Sequence, residues 1–122
     1  MRTAAAATAL AVAMGAGAAG VHAQGVPASR NVTKTLVKSE AQKECFTLVS
    51  SQVLYYRFRS DVPLDFKLSH QEDKEIVHVE RSQVADGAGS YVPKKASDYC
   101  LVWTNAGDRS ATLHYEIERV SQ

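Results

Sequence analysis

Three histidines downstream of residue 23, two cysteines and a pair of arginines are the side chains whose types and spacing point to chemistry. His70 and His78 stand eight residues apart on either side of Gln71-Glu72-Asp73-Lys74, with Glu75 and Glu80 close by. If the chain doubles back at that polar segment, facing strand ends come within about 5 Å of each other. Two imidazoles and a carboxylate would then suffice to hold Zn or Cu. The spacing is neither HxH nor HxxxH, and the plainer reading leaves His78 on a solvated strand face and His70 capping a strand.

Cys45 and Cys100 are the only cysteines. A metal site or a reactive thiol needs a CxxC neighbour or an activating base, and neither cysteine has one. In a small exported chain one pair reads as one disulfide, expected here to tie two facing β-layers together. Closing a loop of about 56 residues contributes roughly 4 kcal/mol in the chain-entropy model. A nucleophilic triad would have to be assembled from scattered Ser, His and Asp, without a GxSxG elbow or a paired-carboxylate signature. The chain is short for a water-excluding cleft, so neither catalysis nor a cofactor is expected. Arg57 and Arg59 share an outward strand face with Tyr55, which makes either an anion or protein contact patch or an ordinary solvated face.

The elements that must position these groups are β-strands. Residues 1–23 look like a cleaved leader: a short basic start, an Ala-rich uncharged run, and Val21-His22-Ala23 as a small-x-small processing site. Residues 24–31 then read as a flexible lead-in, and 32–122 as one domain. Without Arg2 the remaining 13 basic residues meet 13 acidic ones, a balance that argues against an electrostatic nucleic-acid or anionic-membrane surface. After leader removal no membrane span is expected.

Period two recurs along the domain. VLYYRFR (53–59) places Leu54, Tyr56 and Phe58 on one face, and LDFKLSH (64–70) does the same with Leu64, Phe66 and Leu68. Leu113, Tyr115 and Ile117 point inward from 110–119. Further strands are expected at 32–37, 45–49, 75–81, 90–92 and 99–104. A turn is expected at Asp61-Val62-Pro63 and a loop at 82–89, where Asp86-Gly87 and Gly89 fall. Residues 39–44 carry the best case for a single helical turn. Seven or eight short strands with frequent turns predict an all-β, antiparallel, jelly-roll-like sandwich with one disulfide.

One strand is apolar on both faces: Tyr99, Leu101 and Trp103 on one, Cys100 and Val102 on the other. It is either a central strand whose outer face is covered, or an exposed aromatic patch. In the second case Tyr99, Leu101, Trp103 and Tyr91, with the 83–92 loop, form the binding surface.

Glu44-Cys45-Phe46, Leu64-Asp65-Phe66 and the run from Tyr99 to Asn105 resemble the GOLD domain of the p24-like family, a small exported jelly-roll-type sandwich with one disulfide from an early to a late strand. The cysteine of the late strand stands two places earlier here than in that family, on the same strand face. The resemblance implies a lumenal-type binding module and no catalytic residues. A second run, Gly87-Ala88-Gly89-Ser90-Tyr91 followed by Trp103-Thr104-Asn105, Gly107-Asp108 and Ala111-Thr112-Leu113, is similar to periplasmic C-type lysozyme inhibitors, which insert a protruding loop into an enzyme cleft. The expectation is thus a periplasmic or secreted, non-catalytic binding domain whose partner is another protein or an envelope component. The alternatives are an enzyme inhibitor, or a metal-binding protein using His70 and His78.

Overall fold

The structure, a computed structural model, describes residues 29–122; the expected leader and most of the lead-in lie outside them. Six strands make up the described chain: β1 Ser29–Leu36, β2 Ala41–Leu48, β3 Gln52–Gln71, β4 Glu75–Tyr91, β5 Ser97–Thr104 and β6 Ala111–Ser121. All pair antiparallel in one curled sheet. Ser29, Arg30 and Asn31 are not lead-in: they extend β1 and pair with Glu118, Ile117 and Glu116 of β6. Residues 39–44 are not helical either, because β2 begins at Ala41 and pairs with β5 from there.

The long strand β3 explains both the strand count and the curl. Its first half, Gln52 to Ser60, pairs with β6. Its second half, Asp65 to His70, pairs on the same edge with β5. Between them the pairing with β4 slips, from Arg59 opposite Asp86 to Leu64 opposite Val84. Pro63 falls in that gap, where no ladder donor is required of it, and the surplus residues bend the strand. The Asp61 carboxylate holds the corner by accepting a 2.7 Å hydrogen bond from the Thr112 amide. The expected turn at 61–63 is therefore a bend inside one strand, and the two strands predicted around it are one.

The sheet thus folds into two facing halves. One has the order β4–β3–β6–β1 and the other β4–β3–β5–β2, with β3 and β4 running through both. The inward faces meet as the core. Trp103 of β5 lies against Tyr115 of β6 with ring centroids 4.3 Å apart, and Phe58 and Phe66 complete the cluster. The phenol of Tyr115 reaches across to β2, donating to Glu44 at 2.7 Å and accepting from Gln42 at 2.9 Å. Leu54, Tyr56, Phe58, Leu64, Phe66, Leu68, Leu113, Tyr115 and Ile117 are all buried, as period two predicts.

Residues 82–89, expected as a loop, belong to β4. Its glycines serve close packing: a Cβ at Gly87 would stand 2.7 Å from the Phe58 ring, and one at Gly89 2.6 Å from the Tyr56 hydroxyl. These rings lie over the strand where a side chain would otherwise sit.

Cys45 and Cys100 are joined by a disulfide. They stand directly opposite each other in the β2–β5 ladder, with Cα atoms 4.1 Å apart. The bond ties neighbouring strands of one half, and does not cross between halves as expected. The inward side of β5 is taken by Tyr99, Leu101 and Trp103, so Cys100 must point outward. The bridge secures β2, the outermost strand of its half.

Candidate functional site

Two places on this frame concentrate polar chemistry. The first lies where the β3–β4 hairpin tip, residues 71–75, meets the end of β4. His70 is the last inward residue of β3, buried and opposite Tyr99 of β5. His78 arrives there through a bulge: Leu68 pairs with Val79 and Ser69 with Val77, so His78 has no opposite number in β3. Simple alternation would put His78 on one face and Val79 on the other. The bulge re-aims the side chain, so that the His78 ring, though exposed, lies beside His70 while Val79 packs against the core. Tyr91 comes from the far end of the same strand, thirteen residues on, because β4 is bent over both halves.

These groups form a hydrogen-bonded series. His70 Nε2 lies 2.7 Å from Glu72 Oε2, and His70 Nδ1 lies 2.7 Å from His78 Nε2. His78 Nδ1 lies 3.3 Å from the Tyr91 hydroxyl. The imidazole planes are within 9° of parallel, with centroids 4.9 Å apart. Nitrogens 2.7 Å apart cannot belong to face-stacked rings, whose atoms approach no closer than about 3.5 Å. The rings therefore meet edge to edge, in line for an N–H···N bond.

Electrostatics sets the direction of that series. A hydrogen bond and ion pair with Lys95, then the bond from His70, pull the Glu72 carboxyl down to about 2. Glu72 is thus an acceptor only, and His70 Nε2 carries the hydrogen. In neutral His70 the Nδ1 then accepts from His78 Nε2–H, and His78 Nδ1 accepts from the Tyr91 hydroxyl. Burial, and then the neighbouring Tyr99, push the Tyr91 phenol up to about 12. Burial, followed by the neighbouring His70, lowers the His78 imidazole below its ordinary value. Tyr99 flanks the group and donates its hydroxyl to the Lys95 carbonyl at 2.9 Å.

The structure brings His70 and His78 together at the hairpin, as the sequence reading allows. Their facing nitrogens are engaged with each other at hydrogen-bond distance, whereas two nitrogens on one tetrahedral Zn stand roughly 3.3 Å apart. Among the described residues no group of three or more His, Cys, Asp or Glu side chains is placed to hold a metal ion.

The second place is a shallow groove of about 660 Å³ on the outer face of the β1–β6–β3–β4 half. Tyr55 is 47% exposed on it. Ala88, Gly89 and Ser90 of β4 lie to one side, and Arg57, Glu116 and Glu118 to the other. Arg57 donates through Nε and Nη2 to the Glu116 carboxylate at 3.0 and 2.9 Å. Arg59 and His114 border a separate, more polar recess.

The surface expected from Tyr99, Leu101 and Trp103 does not exist. Trp103 and Leu101 are 0% exposed and Tyr99 1%. Strand β5 is central, between β3 and β2, so its inward face meets the opposite half. Tyr91 is half-buried in the histidine cluster, and Gly87–Tyr91 is a paired strand with no protruding loop. Lys95 and the bulge at His78 are the features that sequence alone misses: the loop lysine matches no motif, and a bulge depends on the partner strand's register. Among the described residues no helix is long and apolar enough to cross a membrane. Compared with known proteins, the chain matches no family model and no curated relative.

Proposed function

We propose that this chain is a small exported, non-catalytic binding domain, and that its contact face is the groove around Tyr55. The carrying observation is that Tyr55 is the one large aromatic ring held exposed on a strand face among the described residues. It sits between the small side chains of β4 and the Arg57–Glu116 pair. A half-exposed ring with a polar rim is what recognition of a protein or an envelope component uses. The short likenesses to GOLD domains at Glu44-Cys45-Phe46 and Leu64-Asp65-Phe66 favour the same class.

The non-catalytic part of the reading rests on the reactive groups. Both cysteines are in the disulfide. The Tyr91 phenol, at about 12, is a poor nucleophile or base near neutrality. The facing histidine nitrogens are occupied by each other. The disulfide also supports an oxidising compartment, periplasmic or extracellular.

A photo-crosslinking residue in place of Tyr55 tests the contact face in the native envelope. The expected result is a discrete adduct absent when the same group replaces Val77, which is exposed in the other half of the sheet. Equal or absent labelling from position 55 would overturn the assignment.

A further inference from the structure

The Tyr55 face makes no use of the histidine pair, whose geometry carries an inference of its own. We propose that His70 and His78 form a one-proton latch that fastens the 71–75 hairpin tip to the 91–95 segment near neutral pH and releases it in mild acid.

Proton counting across the 2.7 Å contact decides the argument. With both rings neutral, Tyr91 donates to His78, His78 to His70, and His70 to Glu72, and every nitrogen is satisfied. One added proton is accommodated by reversal. His70 then donates from both nitrogens, to Glu72 and to His78 Nε2, while His78 Nδ1–H turns to the Tyr91 oxygen. A second proton leaves N–H facing N–H and two cations in contact, so the bond breaks. The contact therefore survives one added proton and is lost with the second.

The surrounding charges do not rescue the doubly protonated state. From the tip, Glu72 is the only carboxylate bonded to the pair, and Lys95 already neutralises it. Glu75 of β4 is engaged with Ser69 and Lys67. From β5 and the end of β4 the neighbours are the phenols of Tyr99 and Tyr91, and Lys94 opposes charge on His78.

The sign follows from linkage. His78 binds its proton less readily in the folded chain than in the unfolded one. Its contribution to stability is complete above the ordinary imidazole value of about 6.5 and is lost as pH falls from there through the lowered folded value. Glu72, whose carboxyl is lowered from 4.5 to about 2 in the folded chain, loses its contribution only in stronger acid. The latch opens first. What opens is local, because the other ties of the tip stay within the β3–β4 hairpin or are exposed: the Glu72 amide donates to the Lys74 carbonyl, Glu75 reaches back to Lys67 and Ser69, and the exposed Lys95–Glu72 pair is a weak anchor.

Hydrogen exchange on the mature chain tests this. Between about pH 7.5 and about pH 5, corrected for intrinsic rates, protection at 71–76 and 91–96 should fall by about tenfold or more. The β1–β6 ladder should hold. His78→Gln, which keeps a donor but takes up no proton, should abolish the pH step. Unchanged protection in the parent chain, or the same step in His78→Gln, would overturn the proposal. NMR titration of the two imidazoles in the parent chain is independent of how any variant folds. The expected result is a His78 titration below the ordinary imidazole value of about 6.5 that accompanies the loss of protection at 71–76; a His78 titration at or above that value would overturn it.

Discussion

Replacing Asn105 with alanine should cost about 3 kcal/mol of folding stability, although its side-chain partners are all backbone groups. The side chain is fully buried at the end of the sheet where the β1–β2 and β5–β6 connections converge. Its Nδ2 donates to the Leu36 carbonyl at 3.0 Å and the Arg109 carbonyl at 2.7 Å, and its Oδ1 accepts from the Gly107 amide at 3.0 Å. Its own backbone accepts from the Ser39 amide and donates to the Glu40 carbonyl. Alanine keeps those backbone bonds and deletes the three from the side chain. A buried polar group left without a partner costs about 1–3 kcal/mol, and the two outer partners, nearer solvent, recover part of theirs from water. In a domain of this size the melting temperature should drop by roughly 10–20 °C. Asn105→Asp is the sharper control. It places a carboxylate against two carbonyl oxygens, so it should be at least as damaging near neutrality and should recover in acid as the carboxyl protonates. A fall of less than about 1 kcal/mol for the alanine variant would show that the connections do not depend on this residue.

Trp103→Ala should be more damaging still, by about 3–5 kcal/mol. The indole is wholly enclosed, stacked on Tyr115 and flanked by Phe58 and Phe66 from both halves of the sheet. Its removal opens a cavity between the two halves that none of those rings can fill without leaving its own strand position. Trp103→Phe should cost far less, about 1 kcal/mol. It retains a ring against Tyr115 and removes an indole N–H that has no hydrogen-bond partner, a burial that itself carries a penalty. Urea unfolding of the three proteins reads both differences. If Trp103→Ala unfolds within about 1 kcal/mol of the parent, the ring is on the surface, and an aromatic contact face on β5 would have to be reinstated.

Period two was enough to read which side of each strand is buried, since alternation is dictated by strand geometry whatever the topology. It identifies Leu64, Phe66 and Leu68 as readily as Leu113, Tyr115 and Ile117. The cysteine pairing was legible for a different reason: a chain with two cysteines has one intramolecular pairing available. The failures share a cause. Pro63, Gly87 and Gly89 are punctuation in a local reading, yet each is used here for a non-local purpose. Pro63 stands in a corner that needs no donor, and the glycines leave room for Phe58 and Tyr56. Once 82–89 is a strand, β4 can bring Tyr91 back to His78, and the site assembles. Likewise the doubly apolar 99–104 segment shows that both faces avoid water without showing which strand covers the inner one. The β3 bend decides that, by carrying β6 and its Tyr115 over Trp103.

The bent β3–β4 hairpin underlies the fold, the burial of Trp103 and the histidine cluster together, so contact between the two ends of β4 tests the account most directly. Nuclear Overhauser effects between the ring protons of Tyr91 and His78, whose centroids lie 4.8 Å apart, should be strong in the oxidised protein near neutral pH. Their absence, with Tyr91 showing effects only to its neighbours in sequence, would mean that 82–89 is an open loop and that the two ends of β4 never meet.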